Sequence, residues 1–397
     1  MNMLEKRNQL AVQERLQSCM AKTGLDAMII TSPEAIFYST GFASQFLYLS
    51  NQIGLTAAIV PKEGKITLIC NEFEKQAADS SCKDIEIISY PVWIYIEDYA
   101  KEEEEDKPAQ PDLFRTFRMA AEVVLDQYKA PKVGVESEVI SHSKWDYLKE
   151  VFADGELTDC SSTLVESRMI KTPWEIDVLR TAAEISEVAM YKTAKECVPG
   201  MTEADIMMLF KNNCQNQSPD VMCALQAHTI GADFAPAVVP RHNRIQLGDI
   251  VRLDGGPMYC GYGADLARTF AVGNHTDKHR EEIYASLWKG VECARRMLGP
   301  GVRMCDVFQE IQNTIKADIR GYKRGHHGHS IGCNRFTEEA PFIAGDEKRI
   351  FEPGMVFCLE MPYYSSKNHS YNIEDTFLIT EDGCEFFTHP NETLYIF

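Results

Sequence analysis

Apolar residues recur at helical spacing from Leu4 through Leu10, Leu16 and Met20, predicting an amphipathic first helix stopped by Gly24. Strand-length apolar runs follow at 27–30, 55–60, 66–70 and 85–88, and residues 114–128 return to helical spacing. That alternation predicts an α/β N-terminal domain. At Thr172-Pro173-Trp174-Glu175, residues suited to N-cap, N1 and N3 open a long helix expected to reach about Val198. A boundary is expected just before it, giving domains 1–165 and 166–397. Beyond it the pattern predicts helices near 203–213, 280–298 and 306–319. It also predicts extended segments near 224–230 and 250–270, and strands near 355–361, 373–380 and 385–388. This order is that of an α+β fold rather than a doubly wound sheet.

The 397 residues are 45% hydrophobic, enough for a substantial core and too many for a single small module or a disordered chain. A net charge of −19 repels phosphate backbones and anionic membrane surfaces, so neither nucleic acid nor membrane is expected as a partner. No window offers about 18 uncharged apolar residues, and nothing apolar follows Glu5, Lys6 and Arg7, so a soluble, cytoplasmic protein is expected. The 13 cysteines include no CxxC pair and read as buried small hydrophobes in a reducing compartment. The acidic run 102–106, ahead of Pro108 and Pro111, reads as a solvated loop.

Candidate chemistry concentrates in the second half. Asp254 and Asp265 flank a glycine-rich stretch, and a bent hairpin would return one carboxylate beside the other, a costly arrangement unless a cation neutralises both. Gly325-His326-His327-Gly328-His329-Ser330-Ile331-Gly332 gathers three histidines in what reads as a glycine-rich loop. Glu360 and Glu374 each stand in an apolar strand, where a buried carboxylate needs a partner. Asp254, Asp265, His329, Glu360 and Glu374 together form an oxygen-rich set with one imidazole, suited to two divalent ions such as Mn²⁺, Co²⁺, Fe²⁺ or Zn²⁺. Gly328-His-Ser330-Ile-Gly332 also fits the G-x-S-x-G serine elbow, but no apolar strand precedes it.

With the blocks LDGG…GYGADLARTF, GHSIG, EPGMVFCLEMP and IEDTFLIT, the chain resembles the creatinase, aminopeptidase P and prolidase superfamily. The first ~160 residues resemble its creatinase-type N-terminal domain, through patterns such as Ile36-Phe-Tyr-Ser-Thr-Gly-Phe42. The resemblance implies a pita-bread catalytic domain in which Asp265 and Glu374 bridge two metals, Asp254 completes one site, and His329 and Glu360 the other. It further implies a hydroxide shared by two divalent ions, manganese first among them, attacking the amide bond before proline, with Glu360 moving the proton. A homodimer is implied as well.

Three positions depart from the peptidases of that family. Ala237 and Glu338 stand where they usually carry histidine, and Asn372 where they often carry arginine. Arg241, His242, His326, His327, Glu339 and Arg268 are candidates to meet the substrate in their place. The first expectation is therefore a dinuclear Xaa-Pro dipeptidase or aminopeptidase acting on small peptides. The alternatives are a creatinase- or ectoine-hydrolase-like enzyme cutting a small non-peptide amide or amidine, and a catalytically silent binding protein on the same scaffold.

Overall fold

The computed structural model describes residues 3–94, 110–218, 220–222, 229–230, 242–273, 276–333 and 338–396. It divides into two compact units, Arg7–Arg168 on one side and Met169–Phe397 with Met1–Lys6 on the other. The acidic run, Arg241 and Ala237 lie outside the described residues.

In the first unit a six-stranded mixed sheet runs in the order Glu86–Tyr90, Thr67–Asn71, Ala57–Pro61, Ala27–Ile30, Lys132–Val135, Glu156–Asp159. The central strand Ala27–Ile30 is buried throughout, as the continuous apolar run AMII requires of a strand covered on both faces. The first helix begins later than its periodicity predicts. Asn8 caps Gln9–Thr23, a short 3₁₀ turn occupies Met3–Lys6, and Gly24 closes the helix at φ 68°.

The second unit opens on the helix Pro173–Glu196, whose start carries both halves of the capping box: Glu175 N–H donates to Thr172 Oγ1, and Thr172 N–H donates to the Glu175 carboxylate. Its main sheet runs Glu339–Ala344, His326–Ser330, Val356–Glu360, Glu374–Ile379, Ala267–Ala271, Ile250–Asp254, Thr229–Ile230. Successive side chains of a strand point to opposite faces. Phe357, Leu359 and Phe377 accordingly enter a core with Leu287 and Val291 of the helix Lys278–Met297 and Ile311 and Ile315 of the helix Met304–Asp318. Their sequence neighbours Cys358, Glu360, Glu374 and Thr376 are left to the other face. The histidine cluster, read from its glycines as a loop, is the strand His326–Ser330. Its pairing with Glu339–Ala344 is broken by register shifts around Gly328, which takes φ 147°. Among the described residues no helix is long and apolar enough to cross a membrane.

Candidate metal centre

Strand register assembles the site. Asp254 lies opposite Ala267, Ala267 opposite Glu374, and Glu374 opposite Glu360, so three carboxylates occupy one row across four strands. Asp265 precedes Ala267 by two residues and joins the same face. His329 pairs with Cys358, which precedes Glu360 by two. Two-residue periodicity therefore delivers all five predicted ligands to a single face. Between Asp254 and Asp265 the chain makes the short hairpin Met258–Tyr259 with Tyr262–Gly263, the predicted return of one aspartate towards the other.

The side chains converge. Ligand atoms of Asp254, Asp265 and Glu374 lie within 4.8 Å of one another, and so do those of His329, Cys358 and Glu374. His329 Nε2 stands 3.6 Å from Glu374 Oε1 and 3.7 Å from Asp265 Oδ2. Its Nδ1 is 3.0 Å from the Ser330 carbonyl, which can only accept, so Nδ1 carries a proton and Nε2 is the ring nitrogen turned to the carboxylates. Asn372 Nδ2 donates to Asp254 Oδ2 at 3.3 Å and to Glu374 Oε2 at 3.2 Å. Glu360 Oε1 accepts from Arg324 Nη2 at 3.2 Å and lies 3.1 Å from His326 Nδ1.

Burial pushes the Asp254 carboxyl above the usual carboxylate range despite the opposing Arg252 guanidinium. Glu374 is raised well above it, by burial first and then by the charges of Asp254 and Glu360. Gathering carboxylates in a buried cluster is unfavourable until a cation enters, and this set of carboxylates with one imidazole matches divalent ions of hard to borderline character. The residues present fit the metal that the sequence implied.

The weaker candidates are dispersed. His326 sits beside Glu360 at the margin of the cluster. His327 is fully buried on the core side, stacked on Tyr322 with ring centroids 5.8 Å apart, and burial pushes its pKa down to about 3. Arg268 faces away from the carboxylates. It donates to Asp375 Oδ1 at 2.9 Å and to Glu187, so it serves a buried structural ion pair rather than the substrate. Glu339 is buried against Lys171, 3.6 Å away. His242 is exposed. Ser330, the serine of the elbow-like motif, is fully buried within a strand and accepts from Lys171 Nζ at 3.0 Å, so no strand-to-helix nucleophile turn exists here. The sequence reading missed Arg252 and Arg324. Arg252 precedes Asp254 by two residues in a strand, a spacing that places it on the same face; nothing in the local pattern singles out Arg324.

The residues from 177 to 381 match the model of metallopeptidase family M24, and residues 13–170 match the Creatinase/Prolidase N-terminal domain. The chain thus belongs to metallopeptidase family M24, in the creatinase, aminopeptidase P and prolidase superfamily, and is a metal-dependent hydrolase with the pita-bread fold. Among curated relatives, an uncharacterized peptidase of Bacillus subtilis, YqhT, is 26% identical over 385 residues, covering 96% of this chain and 99% of that one. An Xaa-Pro dipeptidase of Lactobacillus helveticus is 26% identical over 396 residues, covering 96% and 98% respectively. Among solved structures, an Xaa-Pro dipeptidase from Bacillus anthracis superposes with a TM-score of 0.78 at 22% identity, covering 98% of this chain and all of that one.

Proposed function

We propose that the chain is a dinuclear metallopeptidase that cleaves the amide bond before proline in small peptides. Asp254, Asp265, His329, Glu360 and Glu374 would hold the two ions, manganese first, and residues 166–397 would form the catalytic domain. The single observation that carries this reading is the strand register that brings these five residues to one sheet face, with ligand atoms of Asp254, Asp265 and Glu374 within 4.8 Å of one another and His329 Nε2 turned towards Asp265 and Glu374. Xaa-Pro dipeptidases among the relatives support the substrate class.

Bound divalent ions supply a Lewis acid for the scissile carbonyl and lower the pKa of water. The protein's own groups do the rest. Glu360 takes the proton of the attacking water and returns it to the leaving nitrogen, a transfer that needs a carboxylate beside the nucleophile. Arg324, donating to Glu360 Oε1, fixes that carboxylate, and His326 stands beside it. Asn372 bridges Asp254 and Glu374 and keeps their inner oxygens turned to the cluster. A cytoplasmic homodimer completes the proposal.

A second reading, a small cationic amide or amidine as substrate, is favoured by Glu338. It is exposed, yet close enough for its charge to act on Asp254, Glu374 and His326. A panel of Xaa-Pro dipeptides, longer Xaa-Pro peptides, creatine and cyclic amidines, read by mass spectrometry with Mn²⁺ and again with EDTA, separates the two. EDTA-sensitive release of the residue before proline supports the peptidase. Cleavage of only the non-peptide substrates replaces it with the second reading. A purified chain that retains no metal after exposure to Mn²⁺ rejects both.

A further inference from the structure

Cys358 is not the small buried hydrophobe that the sequence suggests for the cysteines. It is fully buried, but its sulfur is set among polar groups. On the strand Val356–Glu360 it alternates with Phe357 and Leu359, which enter the core, so it shares the face of Glu360. It lies opposite His329 on one neighbouring strand and opposite Thr376 on the other. Its thiol donates to the Asp265 carbonyl at 3.5 Å and stands 3.7 Å from Thr376 Oγ1, both weak partners for sulfur. Apolar packing, the usual reason for a buried thiol, does not account for a sulfur placed beside an imidazole and a carboxylate.

Among the described residues, the two groups of three candidate ligands share Glu374 and differ in chemistry. Asp254, Asp265 and Glu374 offer oxygen alone, whereas His329, Cys358 and Glu374 offer nitrogen, sulfur and oxygen. In each group the ligand atoms lie within 4.8 Å of one another, a spacing from which three side chains can close on one ion. Oxygen-only sets suit hard ions such as Mn²⁺, while thiolate with imidazole favours softer ones, Zn²⁺ above all. Cys358 differs in this from the other described cysteines, none of which stands in such a group.

We infer that Cys358 is a metal ligand of this chain, its sulfur joining His329 and Glu374 in a position that takes a thiophilic divalent ion such as Zn²⁺ in preference to Mn²⁺. The thiol proton leaves to solvent as the sulfur binds the ion. The inference rests on the metal-site reading above and narrows it, leaving manganese to the all-oxygen group of Asp254, Asp265 and Glu374.

The test strips the full chain with EDTA, reloads it under reducing conditions with one equivalent of Zn²⁺, and reads the zinc-edge X-ray absorption. The wild type is expected to show a sulfur neighbour at about 2.3 Å. Cys358→Ser is expected to lose that sulfur and to bind Zn²⁺ about tenfold or more weakly, while Mn²⁺ affinity changes less than about threefold. Cys358→Val, apolar and suited to a strand, covers the case that the serine variant does not fold. A wild-type zinc without sulfur, a sulfur neighbour that survives in the variants, or equal losses for Zn²⁺ and Mn²⁺ overturns the ligand. Metal content and Ala-Pro hydrolysis separate this inference from the reading beneath it. Two ions per chain and EDTA-sensitive hydrolysis without a sulfur neighbour remove the ligand and keep the peptidase. A sulfur neighbour that depends on Cys358, without hydrolysis of any Xaa-Pro peptide, keeps the ligand and removes the peptidase.

Discussion

At the scale of single residues, substitution distinguishes the proposed metal-holding role from the proposed proton-moving one. Asp265→Ala and Glu374→Ala each remove an oxygen facing His329 Nε2 and are expected to abolish both bound metal and turnover, measured by elemental analysis and peptide hydrolysis. Glu360→Gln keeps an oxygen donor but removes the proton acceptor, so kcat is expected to fall about 100-fold or more with metal content little changed. Parallel loss of metal and kcat would make Glu360 a ligand only. His327 supplies a pH signature of another kind. Its folded pKa of about 3 lies below the ordinary histidine value, so below pH ~6.5 the unfolded chain takes up a proton that the folded chain refuses. Stability from this group is therefore complete above pH ~6.5 and is lost as pH falls towards 3. Between pH 7 and pH 5 the loss is about 2 kcal/mol. In urea melts of the metal-free protein, His327→Phe is expected to lose correspondingly less over that interval, and an unchanged difference would refute the assignment.

At the scale of elements, the site is a property of strand register, and one glycine guards it. Gly328 lies at φ 147° between the buried His327 and the proposed ligand His329, and a Cβ there would meet the Cys358 carbonyl oxygen at 2.0 Å. Gly328→Ala therefore has to push the His326–Ser330 strand off its neighbour Val356–Glu360. We expect a loss of about 2 kcal/mol or more in denaturant melts and a tenfold or greater weakening of Mn²⁺ binding by titration. Stability and affinity both at wild-type values would show that the strand bends freely. Much of this layout was legible in the sequence. The residue types and order of Asp254, Asp265, His329, Glu360 and Glu374 pointed to residues that the strand register brings to one face, and the Thr172 capping box marked the start of its helix. Other parts were hidden for physical reasons. Gly325, Gly328 and Gly332 imitate a loop, whereas Gly328 marks a bulge within a strand whose pairing is decided by distant segments. Arg268, so close to Asp265 in sequence, turns to the opposite face because it is the immediate strand neighbour of Ala267 and Thr269, whose positions face the cluster. The helices Pro33–Thr40 and His142–Val151 were too short for periodicity to declare.

At the scale of the whole molecule, the metal-free catalytic unit stores repulsion that a cation would release. Asp254 and Glu374 hold their protons more tightly in the folded chain than in the unfolded one. Without metal, the stability they contribute is present at low pH and is lost as pH rises above the ordinary carboxylate range. Mn²⁺ is therefore expected to raise Tm more at pH 7 than at pH 5, and EDTA to reverse the rise. At 100-fold excess over Kd the gain is about 2.7 kcal/mol. A Tm shift independent of pH would separate metal binding from these carboxylates.

The row from Asp254 through Ala267 and Glu374 to Glu360 gives the ion a role before any substrate arrives. Slipping one strand by a single position would turn its carboxylate into the helices and replace it with an apolar neighbour. A chain zipped in the wrong alignment would then be deprived of its cargo, and saturation with metal becomes an assay of folding fidelity that counts only correctly assembled molecules.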